Sequence, residues 1–222
     1  MNDTTSATCY LHLQAMCAPR QWQAVGAHLA ATAGDALGPA GGALYGIWRS
    51  QIGRPRDELN IITHWTGDAT EAVAASQSWL QGIGDISDHT VRAMTPTLRP
   101  ADATPPIRQG NYAFRSFTTP AHHWQEFLDL CAAAWPGFEA AYDSQVIGLW
   151  EIANDTPQMR ESLLLTRRPN LAMWERSKLP ANAGEAEVRR KLSRRYDLCD
   201  ATSVHTTTLL TARDEKDEAR WT

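Results

Sequence analysis

The sequence predicts an α+β fold in which one βαββαβ unit is used twice. Three observations carry this. Tyr10, Trp22, Gly46 and Trp48 are each followed, 102 residues later, by the same residue type: Tyr112, Trp124, Gly148 and Trp150. The matches extend to neighbours, Trp22-Gln23 with Trp124-Gln125 and Tyr45–Trp48 with Ile147–Trp150. The offset then becomes 103, aligning Glu58–Thr63 with Glu161–Thr166, as one inserted loop residue would produce. Asp88–Thr90 aligns more weakly with Asp200–Thr202 at an offset of 112.

Each unit reads alike from its local patterns. Period-two alternation predicts strands at Tyr10–Cys17 and Tyr112–Phe117. Pro19 and Pro120 mark helix starts, and the helices are expected to end near Thr32 and Ala134, where Gly34 to Gly42 and Pro136-Gly137 break the pattern. Strands follow at Leu44–Gln51 and Val146–Ala153, then hairpin turns at Gly53–Pro55 and Asn154–Pro157. Further strands are expected at Glu58–Trp65 and Arg160–Arg167, helices at Ala69–Leu80 and Asn170–Lys178, and last strands at Thr90–Leu98 and Ser203–Thr211.

This order is the split βαβ, or ferredoxin-like, topology. Its four-stranded antiparallel sheet carries both helices on one face and leaves the other to be covered. The expectation is therefore tandem ferredoxin-like repeats forming a dimeric-α/β-barrel type of fold within one chain, with a candidate cavity between the bare faces. The first unit spans residues 1–100, a linker 101–110, and the second unit 111–212. A helical insertion is expected near 182–198, from Val188, Leu192 and Tyr196 at i, i+4, i+8, and a charged tail at 213–222. The insertion's basic run, Arg189–Lys191 with Arg194-Arg195, could hold an anion but is expected as a solvated helix face.

Composition narrows the function classes. A net charge of −4 argues against general nucleic-acid binding. No apolar run is long enough to span a membrane, and Met1–Thr8 does not read as a signal peptide. The four cysteines (Cys9, Cys17, Cys131, Cys199) form no C-x-x-C pair, and scattered thiols suit a reducing, cytoplasmic setting. Nine tryptophans must plate a core or line a ligand cavity. Phosphate-loop, dinucleotide, zinc-hydrolase and serine-hydrolase motifs are absent. The adjacent His122-His123 cannot share a helix face, so no metal site is expected there.

Tyr45-Gly-Ile-Trp48, Ile52-Gly53 and Leu59-Asn60-Ile-Ile-Thr-His64-Trp65 resemble the signature strands of the NIPSNAP family, and Met94–Pro100 resembles the segment that closes its unit. The resemblance covers about Tyr10 to Pro100; in the second half Leu163 and Arg167 stand in place of the Asn and His. It implies the dimeric α/β-barrel superfamily, which includes cofactor-free monooxygenases, lactone isomerases, haem-handling enzymes and proteins without known chemistry. The alanine- and arginine-rich chain has a bacterial look.

On the first strand Leu11, Leu13 and Ala15 form the face expected under the helices, and Tyr10, His12 and Gln14 the opposite face. The repeat places Tyr112 and Phe114 opposite Tyr10 and His12, and Leu163 and Arg167 opposite Asn60 and His64. A polar cluster kept in only one copy is what a site would leave, since buried polar groups are costly unless paired or used. His12 and His64 are the candidate acid–base residues. Tyr10, Gln14, Asn60, Trp48, Arg49, Tyr112 and Phe114 are the candidate substrate-binding residues.

The leading expectation is a small cytoplasmic barrel protein that binds a hydrophobic or aromatic metabolite. It would act on it by cofactor-free acid–base chemistry of isomerase, cyclase or oxygenase type. Alternatives are a haem-binding barrel with a histidine axial ligand and a non-catalytic interaction module. Since one chain holds two units, a monomer or weak homodimer is expected.

Overall fold

The computed structural model describes residues 8–214. The tail expected from 213 onward lies outside these residues apart from Arg213 and Asp214. Two compact units are present. The first comprises residues up to 95 with 103–109 and the stretch from 208, and the second comprises 96–102 and 110–207.

The first unit holds β1 (Thr8–Cys17), α1 (Trp22–Leu37), β2 (Gly42–Ile52), β3 (Glu58–Thr66), α2 (Ala69–Gln81) and most of β4 (Ile86–Arg99). Its strands are antiparallel in the order β4-β1-β3-β2. The second unit repeats this with β5 (Asn111–Pro120), α3 (Trp124–Tyr142), β6 (Gln145–Ile152), β7 (Met159–Arg168), α4 (Leu171–Arg176), α5 (Ala183–Asp197) and most of β8 (Ala201–Leu209). Its order is β8-β5-β7-β6.

Register confirms the repeat residue by residue. Tyr10 pairs with His64 and Tyr112 with Arg167; Trp48 pairs with Asn60 and Trp150 with Leu163. The last strands correct the sequence alignment. Thr90 stands opposite Gln14, while Ser203 stands opposite Ser116, so the offset there is 113 rather than 112. The difference matters, because a one-residue slip moves every side chain to the other face.

The glycines shared by the two units have a physical reason. A Cβ on Gly46 would stand 2.5 Å from the Trp48 ring, and one on Gly148 would collide with the Trp150 ring. Each indole folds over the glycine two residues earlier on its own strand, beside a bulge at Leu44/Gly46 or Val146/Gly148. The close neighbour is therefore Trp48 or Trp150, on the same strand as the glycine.

Two helices run past their expected ends. Helix α1 passes Gly34 to reach Leu37, burying Leu29, Ala33 and Leu37. Helix α3 continues through Pro136 to Tyr142. An interior proline costs about 3 kcal/mol, but the last two turns bury Trp135, Phe138 and Tyr142, and fully burying side chains of this size contributes ~1.5–3 kcal/mol each. Lys191 of α5 donates to the Ala133 carbonyl, in the turn that the proline disturbs. Shorter helices are capped as their sequences suggest: Asp68 accepts from Thr70 and Glu71 backbone amides, and Asn170 and Asn182 cap α4 and α5.

The apolar cores lie between each sheet and its helices. In the first unit Leu11, Leu13 and Ala15 pack with Val25, Leu29, Ile61, Trp65 and Leu80. In the second, Phe117 packs with Phe127, Cys131, Trp135, Phe138 and Leu164. All four cysteines are free, and burial pushes the Cys131 thiol up. Among the described residues no helix is long and apolar enough to cross a membrane.

Candidate functional site

The first unit carries a buried polar network on the sheet face turned away from α1 and α2. His12 and Asn60 are almost fully buried. Arg92, opposite His12 on β4, donates from Nη2 to His12 Nδ1 at 3.2 Å. A guanidinium can only donate, so Nδ1 is the acceptor and Nε2 carries the imidazole proton. Nε2 then donates to Asn60 Oδ1 at 3.0 Å, an oxygen that also accepts from Gln14 Nε2 at 3.5 Å. Asn60 Nδ2 donates to Ser50 Oγ and Glu58 Oε1, and Arg54 donates to both oxygens of Glu58. The Gln14–Glu58 end borders a small cavity of about 90 Å³ that includes Met16, Arg54, Asp88, His89 and Thr90.

The structure thus brings together His12, Gln14 and Asn60. His64 shares their face but stands beside Tyr10, its ring edge-on at 5.1 Å, and burial lowers its pKa. Tyr10 also meets Tyr45 edge-on. Trp48 lies opposite Asn60 on β2. Arg49 is not part of this group. It points to the helix side, with its guanidinium 3.8 Å from the centre of the Trp22 ring and its Nε donating to the Arg56 carbonyl. Tyr112 and Phe114 belong to the second unit, where both are buried and Phe114 stacks on His205.

A larger cavity, about 430 Å³, lies within the second unit between β5, β6, β7 and helices α3, α4 and α5. It is on the helix-facing side of that sheet, the face opposite to Tyr112 and Phe114. Its apolar wall includes Phe117, Trp135, Phe138, Leu164 and Trp174. Arg115, Arg168, Lys178, Arg189 and Arg195 supply five cations, against Asp197 as the one carboxylate. The volume falls within the ~300–1,000 Å³ of small-ligand pockets.

The repeat explains why this cavity exists. By register, Arg115 occupies the position of Leu13, and Arg168 that of Trp65. The first unit fills the space with those two apolar side chains. The second unit has arginines there, and α4 has 6 residues where α2 has 13. Helix α5 covers part of the opening, held by Glu185, which accepts from Arg176, Tyr142 and the Ala181 amide.

Sequence reasoning named Arg189 and Arg195 but assigned them to a solvated face. Arg195 is instead buried, 7% exposed, while Tyr196 on the expected apolar stripe is 56% exposed. Arg115, Arg168, Trp135, Phe138 and Trp174 were missed. A signal was present: Arg115 sits between Ala113 and Phe117 on the strand face where the first unit carries only apolar residues.

No family model matches the sequence, and no curated protein matches it. Solved structures do. A protein provisionally assigned as a monooxygenase, from Lactobacillus acidophilus, matches with a TM-score of 0.58 at 10% identity, over 91% of this chain and 94% of its own. An anthrone oxidase-like protein matches with a TM-score of 0.64 at 12% identity, over 96% and 94%. Chlorite dismutase from Candidatus Nitrospira defluvii matches with a TM-score of 0.53 at 8% identity, over 93% and 92%. With the topology of each unit, these likenesses define the class: an α+β, ferredoxin-like fold of the dimeric α/β-barrel type. At these identities they speak to fold alone.

The haem alternative can be tested on the cavity's donor set. Haem iron takes a His, Cys, Met or Tyr ligand. The cavity lining contains none of these except the exposed Tyr196, and His205 stands on the opposite sheet face against Phe114. The cavity thus offers haem no buried side chain of these types. Among the described residues, no cluster of three or more His, Cys, Asp or Glu suits a metal ion.

Proposed function

We propose that this protein binds a small apolar or aromatic metabolite in the cavity of the second unit and acts on it without a cofactor, as an isomerase, cyclase or oxygenase. The observation that carries the reading is a 430 Å³ cavity with aromatic walls, built where the first unit is solidly packed. The names of two structural neighbours, a provisional monooxygenase and an anthrone oxidase-like protein, support small-molecule oxidation as the first chemistry to test. Arginines facing the bound molecule would stabilise negative charge developing on an enol or phenol oxygen. Every lining residue comes from one unit, so the site needs no second chain, in keeping with a monomer or weak dimer. The NIPSNAP kinship of Tyr10–Pro100 and a bacterial, cytoplasmic setting belong to the same proposal.

Titration with Nile red, a neutral aromatic dye, tests it. Wild-type protein should enhance the dye's fluorescence. Ser193→Trp, which fills the cavity from an exposed position on α5, should weaken binding tenfold or more. Unchanged binding by that variant would overturn the reading.

A second reading places acid–base work on His12 and His64, with Tyr10, Gln14 and Asn60 orienting polar groups. Its support is the hydrogen-bond chain from Arg92 through His12 and Asn60 to Glu58. If the paired replacement His12→Asn/His64→Asn left turnover of a bound molecule intact, this reading would be excluded.

A further inference from the structure

Five other arginines of the second unit are ion-paired: Arg99 with Glu139, Arg160 with Glu151, Arg176 with Glu185, Arg190 with Glu187 and Arg194 with Glu126. The cavity arginines differ. Among the described residues, Arg115, Arg168 and Arg195 have no carboxylate partner. The Nε atoms of Arg168 and Arg195 are buried without a hydrogen-bond acceptor. Among the described residues Arg168 donates only to Thr166 Oγ1, at 3.3 Å, and Arg195 only to the Cys131 sulfur, at 3.5 Å. A thioether or thiol sulfur is a weak acceptor for so strong a donor.

Aromatic rings hold two of these guanidiniums in place. Arg168 lies 4.9 Å from the centre of the Trp174 ring and 5.1 Å from that of Phe138. Arg195 lies 4.9 Å from Phe117 and 5.8 Å from Phe127. Burial pushes Arg115 and Arg168 down, each to about 10, with neighbouring arginines adding to the shift. Both remain protonated at neutral pH. Buried charges in folded proteins are ordinarily paired or used. Here several like charges line one apolar cavity, and among the described residues none of the three is in contact with a carboxylate.

We infer that the ligand of this cavity is an anion: a small organic acid whose carboxylate is received by Arg115, Arg168 and Arg195 and whose aromatic or apolar body lies against Phe117, Trp135 and Phe138. This inference rests on the cavity being the ligand site and adds the chemical class. The planar guanidinium fork matches a carboxylate in two-point geometry. The cavity's hydroxyls from Thr166 and Ser193 offer further donors.

Isothermal titration of the full chain with matched pairs tests the charge: 2-naphthoic acid against 2-naphthamide, and indole-3-acetic acid against its amide. The acid of at least one pair should bind tenfold or more tightly than its amide, and its affinity should fall as salt rises. Arg168→Met should cost the acid tenfold or more and leave the amide within twofold. The same variant should melt, ligand-free, at or above the wild-type temperature, because an uncompensated charge has been removed. Equal binding of acid and amide would overturn the anion inference and leave the cavity reading standing. Failure of all four probes to bind would overturn the cavity reading as well. If Arg168→Met melts far below wild type, the arginine is a structural element and the inference fails at that residue.

Discussion

Arg115 in the second unit stands at the ladder position that Leu13 holds in the first. Leu13 pairs with Ile61 and Val91, and Arg115 with their counterparts Leu164 and Val204. Leu13 is fully buried in an apolar core, whereas Arg115 faces a cavity. This difference between the copies, with Arg168 in place of Trp65 and the shorter α4, replaces packed core by a cavity. Restoring the apolar side chain should therefore trade function for stability. Arg115→Leu is expected to stabilise the ligand-free protein by on the order of 1–2 kcal/mol, as replacing buried charge often does. Urea denaturation measures this; a clear loss of stability would mean that Arg115 is compensated by something other than a ligand.

The His12–Asn60 bond should behave as one element of a coupled network. Asn60→Leu copies the second unit, where Leu163 holds the equivalent position. It strips His12 Nε2, Ser50 and Glu58 of a shared partner. The expected cost is about 1–3 kcal/mol, the range for stranding a buried donor or acceptor. His12→Phe, which copies Phe114, should cost less in the Asn60→Leu background than alone. A double-mutant cycle reads the coupling; strictly additive effects would show that the bond carries no weight.

Glycines of two kinds give opposite outcomes. At Gly148 a Cβ would collide with the Trp150 ring, so Gly148→Ala should destabilise by about 1–3 kcal/mol through overpacking. At Gly34, inside α1, a Cβ meets nothing within 4 Å, so Gly34→Ala should stabilise by roughly 0.5–1 kcal/mol. Thermal melts of the two variants compare them directly. Similar shifts in both would contradict the stacking of Trp150 on Gly148.

The pH dependence of stability has a defined sign at His64. Burial disfavours its charged form and lowers its folded pKa. Its contribution is present above the unfolded value of ~6.5 and is lost as pH falls through the lowered folded value. Stability should decline over that window, and His64→Asn should flatten part of the decline. An unchanged profile in the variant would assign the decline to other groups.

Much of the fold was legible in the sequence because the repeat doubled every signal. Tyr10/Tyr112 and Trp48/Trp150 set the register, and Gly46/Gly148 announced a close approach. The partner of that approach was not legible, since an indole folding back along its own strand leaves no mark in periodicity. Helix α3 was expected to stop at Pro136; only the burial of Phe138 and Tyr142 shows why it continues. The cavity was harder to read. Arg195 follows Arg194 in a basic run, and nothing local tells a buried arginine from a solvated one. Arg115 was visible as a charge on a core-facing position, but its meaning depends on α4 being too short to cover it. The 112 offset placed at Asp88 failed for a related reason: two short identities outweighed a register that only hydrogen bonding decides.

The central claim is that the second unit's cavity receives the ligand. The most direct measurement is an NMR titration that follows the tryptophan indole N–H signals, assigned by single Trp→Phe variants, as 2-naphthoic acid is added. Saturable shifts are expected at Trp135 and Trp174, which line the cavity, with Trp48 and Trp65 of the first unit unmoved. Shifts confined to Trp48, on the His12 face, or no saturable shift at Trp135 and Trp174, would contradict it.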